Sequence, residues 1–384
     1  MMSQQQILRV NFPGKLIFGN GVLTTLQQDV KRANFRHVLL LTITPLLEQL
    51  SELICELEAD GVNVQVDTSV VQEPTFSDLN RVVEKYKSET IDLVIGIGGG
   101  SVLDVAKLAA AQLKSNQTLP EIVGNGLLKD RKIALYLGPA TAGTGSEVSP
   151  NAILVDHENQ KKGIISPYLV PDAVYVDPSL TLGVPSAITA ATGLDAFTHC
   201  LEAFTNKFSQ PFIDMYAFQG MKLIAENIVR AVTNGDDIQA RNQVAMGSLL
   251  GGFCLGPVNT AGVHALSYPL GSMFHLPHGL SNALLLPYVM EFSYSASPSK
   301  YAQAAIALGC KQELTDELTA RAGIQKVRQL IQECGIPTRL REVNIPREAI
   351  PKMAEDAMKI TRLLVNNPRE ITLNDALSIF NAAY

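Results

Sequence analysis

Three of the chain's six histidines fall in one short stretch, HALSYPLGSMFHLPHG (residues 264–279): His264, His275 and His278. Imidazole is the side chain suited both to proton transfer near neutral pH and to divalent metal binding. A further histidine, His199, lies in ITAATGLDAFTHCLEAF, four residues after Asp195. On a helix, positions i and i+4 share a face, with Cβ atoms ~6 Å apart. A carboxylate oxygen and an imidazole nitrogen so placed can share one ion, as in HExxH; the same pair also serves as a plain surface hydrogen bond. Were residues 264–278 one straight helix, the outer histidines would stand ~21 Å apart. Pro269, Gly271, Pro277 and Gly279 are expected to break it. His264 then rides a helix, and His278 a loop leading into GLSNALLLPYVM. Together Asp195, His199, His264 and His278 make a set of one carboxylate and three imidazoles. That set suits zinc or an iron-like divalent ion better than Mg²⁺ or Ca²⁺, and the donor types do not choose between zinc and iron.

A second chemistry is written in glycine. DLVIGIGGGSVLDVAK (92–107) runs from a buried strand through a glycine cluster into a helix carrying Asp104 and Lys107 in its early turns. Glycine permits close backbone approach, and a helix N-terminus offers free N–H groups and a positive dipole end. Gly98, Gly99, Gly100 and Ser101 are thus candidates to hold a pyrophosphate; a tight turn without ligand is the plainer account. A second loop, GPATAGTGSEVSP (138–150), offers Thr141, Thr144 and Ser146 for phosphate or ribose. The usual dinucleotide fingerprint follows the first strand, whereas this cluster follows about the fourth. The adenosine ribose contact is therefore expected from the end of HVLLLT, at Thr42.

These residues need elements to hold them. HVLLLT (37–42), NVQVDTSV (63–70), DLVIGIGGG (92–100), IALYLGP (133–139), NAILVD (151–156) and AVYVD (173–177) read as strands separated by helical segments. That pattern predicts a parallel sheet covered on both faces. From about Pro185 the spacing turns helical and no alternating strand pattern follows. The expectation is α/β + all-α: a dinucleotide-binding parallel-sheet domain over 1–183 and a helical metal-binding domain over 184–384, with a ligand cleft between them.

Composition agrees with a globular protein, 46% hydrophobic and 18% charged. The net charge of −6 gives no basic face for nucleic acid. The five cysteines are scattered without a CxxC pair, which fits a reducing, cytoplasmic setting. MMSQQQILRVNFPG lacks the pattern of a signal peptide, and no apolar run reaches membrane-span length.

GGGSVLDVAK, TAGTGSEVSP, GLDAFTHCLEAF, HALSYPLG, FHLPHG and the later NNPREIT together resemble the iron-containing alcohol dehydrogenase family, across essentially the whole chain. The resemblance implies metal ligation by Asp195, His199, His264 and His278, with Fe²⁺ favoured and Zn²⁺ the alternative. It implies cofactor contacts at Gly98, Gly99, Ser101, Asp104, Thr141 and Thr144, and Lys162 and Leu182 near the nicotinamide end. Two positions depart from the family pattern. Tyr268 stands where many members have histidine, and phenol, with an ordinary pKa of ~10, relays protons at neutral pH less well than imidazole at ~6.5. Tyr268 and His275 are the catalytic candidates, water and the cofactor ribose the alternative proton route. Ile43 stands where NAD-preferring members often carry aspartate, and no Lys or Arg replaces it in TITPLLEQ; NAD is favoured and NADP stays open. The expected activity is hydride transfer between a primary alcohol or its aldehyde and the nicotinamide, in a homodimer or larger homo-oligomer. A polyol dehydrogenase or ketone reductase of the same superfamily, and a metallohydrolase using the same four ligands, are the alternatives.

Overall fold

The computed structural model describes residues 7–70, 73–158 and 160–384. Residues 1–6 of the stretch read for a leader lie outside the described residues. The chain divides into two compact units. One comprises Phe12–Thr189 with Asn234–Ala245. The other comprises Ala190–Thr233 and Met246–Tyr384, with the described residues before Phe12.

The first unit is built on strands β1 (Lys15–Phe18), β2 (His37–Leu41), β3 (Asn63–Asp67), β4 (Leu93–Gly98), β5 (Gly124–Asn125), β6 (Ala134–Pro139), β7 (Asn151–Val155), β8 (Lys161–Ile165) and β9 (Ala173–Val176). Six of them form a wholly parallel sheet in the order β1-β9-β6-β4-β2-β3. Helices α1 (Leu23–Arg32), α2 (Leu47–Ala59), α3 (Phe76–Tyr86), α4 (Gly100–Gln112) and α5 (Leu119–Ile122) lie along the same stretch of chain. Period-2 alternation explains why VLLL, residues 38–41, is apolar throughout. Val38 and Leu40 enter one core with Leu26, Val30, Leu50 and Leu57, while Leu39 and Leu41 enter another with Leu79, Val82, Leu103 and Ala106. A strand buried on both faces has no polar side.

The direction of winding reverses beside β2, with β3 on one flank and β4, β6 and β9 on the other. Open α/β sheets bind ligands outside the carboxyl ends of the strands at such a switch point. Thr42 follows β2, and Gly99 follows β4. The glycine loop and the expected ribose position therefore flank the switch.

Two strand expectations need correction. NAILVD does not join the main sheet; as β7 it pairs antiparallel with β8, in a small sheet ordered β5-β8-β7. The intervening turn is closed by Asp156, whose Oδ1 accepts from the backbone of Glu158 and Gln160. β1 went unread because it is an edge strand with exposed residues, and among the described residues it pairs only with β9.

The remaining chain is helical: α6 (Ser186–Thr205), α7 (Pro211–Thr233), α8 (Ile238–Leu255), α9 (Gly262–Phe274), α10 (His278–Ser293), α11 (Pro298–Ala307), α12 (Asp316–Glu333), α13 (Ile350–Ala357), α14 (Thr361–Leu364) and α15 (Leu373–Ala383). The expected helix break moves. α9 continues through Pro269 and Gly271, and ends at His275, whose φ of 55° is left-handed. His275 N–H donates to Gly271 O and Leu276 N–H to Leu270 O, which closes the helix end. Pro277 caps α10, so His278 opens a helix rather than riding a loop. Among the described residues no helix is long and apolar enough to cross a membrane.

Candidate active site

α6 supplies the base of the metal cluster. Asp195, His199 and Glu202 recur at i, i+4 and i+7, one face of the helix, and all three are buried. α10 comes close to this face because position 279 is glycine. A Cβ there would stand 2.4 Å from Ala191 O and 3.2 Å from Asp195 Cβ. The approach sets His278, first residue of α10, beside Asp195, and α9 adds His264 from a buried position.

The result is convergence on one oxygen. Asp195 Oδ1 lies 3.6 Å from His264 Nε2, 3.7 Å from His199 Nε2 and 4.0 Å from His278 Nε2. Ligand atoms of Asp195, His199 and His264 all lie within 4.8 Å of one another. The His199 and His264 rings stack with centroids 4.9 Å apart, and His264 meets His278 edge-on at 5.2 Å. Four donors ~2.1 Å from a tetrahedral ion are ~3.4 Å apart. The three distances from Asp195 Oδ1 are a few tenths of an ångström wider, His278 falls outside the group whose ligand atoms all lie within 4.8 Å, and the donor types fit zinc or ferrous iron.

The electrostatics favour a positive charge here. Burial alone would raise the Asp195 pKa, yet His199, His278 and His264 hold it well below the usual carboxylate range. Burial would lower that of His264, yet the carboxylates of Glu202 and Asp195 raise it to about 10. A field that draws a proton onto a buried imidazole also draws a divalent cation.

Glu202 is a residue the sequence reading missed. Its Oε2 lies 2.5 Å from His264 Nδ1, and its Oε1 accepts from Val263 N–H at 2.6 Å. A carboxylate can only accept, so Nδ1 carries a proton and Nε2 is the nitrogen left to face Asp195. A carboxylate behind a ligand imidazole fixes its tautomer and ring orientation. The signal was present in the sequence: Glu202 repeats the helical spacing of Asp195 and His199.

Tyr268 lies one turn beyond His264, its ring 5.9 Å from that of His278. Its hydroxyl accepts from Arg362 Nη2 at 3.0 Å. His275 lies at the exposed end of α9, and its ring makes no hydrogen bond, ion pair or ring contact among the described residues.

In the α/β unit the nucleotide candidates gather around the start of α4. Gly99 caps this helix without a side-chain bond, leaving its first turn open to an anion. A Cβ on Gly100 would stand 2.6 Å from Thr144 Cγ2, so any side chain there would displace Thr144. A Cβ on Gly99 would stand 3.5 Å from Thr141 Oγ1. Thr42 is fully buried and its hydroxyl makes no hydrogen bond among the described residues. Ser101 Oγ accepts from Glu73 N–H at 3.3 Å.

Both oxygens of Asp104 are engaged within the protein, by Ser146 Oγ at 2.5 Å and Ile153 N–H at 2.9 Å. Lys107, wholly buried, donates to Ser149 O and Asn151 O at 2.9 and 2.8 Å. The pair thus ties the threonine loop to α4. Burial pulls the Lys107 pKa down to about 8 and pushes that of Glu147 up to about 7. Lys162, on β8, pairs with Asp156 at 3.1 Å. Leu182, half-buried, closes a short 3₁₀ turn.

Comparison with known proteins settles the family. The family model for iron-containing alcohol dehydrogenase matches residues 13–178, and that for the C-terminal part of the Fe-containing alcohol dehydrogenase family matches residues 189–384. The chain belongs to the iron-containing alcohol dehydrogenase family. This family member is 36% identical to long-chain-alcohol dehydrogenase 1 of Geobacillus thermodenitrificans, over 98% of the chain and 97% of that protein. Its fold matches a crystal structure of 1,3-propanediol oxidoreductase with TM-score 0.95 and 30% identity, covering 99% of this chain and 100% of that one. It also matches sulfoacetaldehyde reductase from Bifidobacterium kashiwanohense in complex with NAD⁺, with TM-score 0.89 and 26% identity, covering 98% and 99%. Such neighbours share the α/β sheet and the helical part found in this dehydrogenase.

Proposed function

We propose that this protein interconverts a primary alcohol and its aldehyde with NAD(H), using a divalent ion held by Asp195, His199, His264 and His278. One observation carries the reading: three imidazole nitrogens face a single buried carboxylate oxygen within 4.0 Å. The family membership and the NAD⁺ complex of a structural neighbour support it. Bound there, the ion would supply Lewis-acid polarisation of the substrate oxygen, and the nicotinamide the hydride acceptor or donor. Iron is the ion the family's description names, with zinc the alternative.

The chain's own residues do the positioning. Asp195 contributes the ligand charge, and Glu202 holds His264 with Nε2 forward. Tyr268 Oη, which accepts from Arg362 Nη2, is our first candidate to bind the substrate hydroxyl and hold its proton; His275 is the second proton-path candidate. Gly98, Gly99, Gly100 and Ser101 would cradle the pyrophosphate at the start of α4, with Thr141 and Thr144 beside them. Thr42 would meet the adenosine ribose, and Lys162 and Leu182 the nicotinamide end. Ile43 offers no carboxylate against a 2′-phosphate, so NAD over NADP is a preference to be measured. The working enzyme is a cytoplasmic homodimer or larger homo-oligomer.

The test is a screen of alcohols and aldehydes with both cofactors, on protein loaded with Fe²⁺ or Zn²⁺ and followed by NAD(P)H absorbance. The expected result is turnover that a chelator abolishes and metal restores. Metal-loaded protein that turns over no pair with either cofactor refutes the reading.

A further inference from the structure

One further side chain enters the cluster. Asn282 lies one turn after His278 on α10 and is fully buried. Its Nδ2 stands 2.7 Å from Asp195 Oδ1, 3.0 Å from His264 Nε2 and 3.2 Å from His278 Nε2. A single amide nitrogen thus faces three of the four donor atoms of the proposed metal centre. The reverse orientation would place an amide oxygen against the Asp195 carboxylate oxygen, two acceptors in contact. In the orientation found, Oδ1 is buried without a hydrogen-bond partner among the described residues. An apolar side chain of similar size would leave no buried carbonyl unpaired. What asparagine contributes here is therefore its N–H.

We propose that Asn282 is a positioning residue of the metal centre, and that its N–H, donated to Asp195 Oδ1, sets the carboxylate that the three imidazoles face. The proposal rests on the metal reading given above. Asp195 Oδ1 lies within 4.0 Å of the Nε2 of His199, His264 and His278. A carboxylate free to rotate would offer that oxygen to none of them consistently. Asn282 orients the carboxylate as Glu202 orients His264, so the centre is held from two sides by groups outside the four ligands.

The experiment compares wild-type full-length protein with Asn282→Leu and Asn282→Ala. Zn²⁺ affinity is measured by competition with a chromophoric chelator, and the ligand field by the visible absorption of Co²⁺-loaded protein. Far-UV circular dichroism and thermal unfolding check the fold. Leucine keeps the volume and removes the donor; alanine removes both and gives the reading should leucine not be accommodated. The expected result is a 10–100-fold loss of Zn²⁺ affinity in both folded variants, with an altered Co²⁺ spectrum. Wild-type affinity and spectrum in Asn282→Leu would reduce the residue to packing and overturn the proposal while leaving the metal reading intact. Wild-type protein that takes up neither ion would overturn both.

Discussion

Replacing Glu202 by glutamine tests the tautomer argument directly. Glu202 accepts two hydrogen bonds, at 2.6 Å from Val263 N–H and 2.5 Å from His264 Nδ1. Glutamine can keep the first through its carbonyl oxygen. Its amide nitrogen then faces Nδ1 as a donor facing a donor. Either the contact breaks, or the His264 proton moves to Nε2 and removes the lone pair that ligation requires. A charge-assisted bond of this kind contributes about 1.5–3 kcal/mol, and 1.4 kcal/mol is tenfold in an equilibrium constant. The expected loss of Zn²⁺ affinity is roughly 10–100-fold. Removing the charge also weakens the proton that competes for His264, whose pKa is raised to about 10 by burial-opposed attraction to Glu202 and Asp195. The comparison is therefore made at pH 10, the midpoint of that titration, where the competing proton is half removed, by competition with a metallochromic dye. Equal affinity of wild type and Glu202→Gln at that pH would refute the claim that Glu202 governs ligation.

Gly279→Ala places a Cβ 2.4 Å from the Ala191 carbonyl oxygen, which only backbone movement can relieve; α10 must shift, and metal content by elemental analysis is expected to fall at least tenfold. Gly100→Ala forces Thr144 aside and strains the folded protein by about 1–3 kcal/mol; with Thr144 displaced from the start of α4, NADH binding by fluorescence should weaken with metal content unchanged. Glu147 holds its proton more tightly when folded, with a pKa pushed by burial from 4.5 to about 7. Its effect on stability is therefore complete below pH 4.5 and is lost as pH rises to about 7, by about 3 kcal/mol; urea unfolding of Glu147→Gln at pH 5 and pH 8 should show a pH dependence smaller by that amount. Tyr268→His should add an inflection to the pH–rate profile between pH 5 and 8, and an unchanged profile would remove position 268 from the proton path.

What the sequence made legible followed from regular spacing. The i, i+4 pair of Asp195 and His199 and the strand–glycine–helix run at 92–107 both rest on periodicities that one chain displays by itself. Glu202 and Asn282 share that regularity, yet their roles are long-range: 61 and 87 residues separate them from Val263 and Asp195. Asp104 illustrates the converse. The resemblance implies a cofactor contact there; within the protein its oxygens are engaged by Ser146 and Ile153, from a loop and strand that no local pattern assigns to it. β1 and β8 escaped for a third reason: both are short and carry partly exposed residues, so they lack the apolar run that marks a strand in the middle of a sheet.

His275 closes α9 in the left-handed region, with φ of 55°. Few side chains tolerate that region, and histidine is among those enriched there, with asparagine and aspartate. The crowding of histidines at 264–278 therefore has two independent origins. Two of the three share a buried cluster with Asp195, and the third has a backbone reason to be present whether or not it handles a proton. Asparagine or glycine at 275 would satisfy the same turn, so this position is free to vary in chemistry while remaining fixed in shape. A count of histidines therefore overstates the reactive groups in this segment.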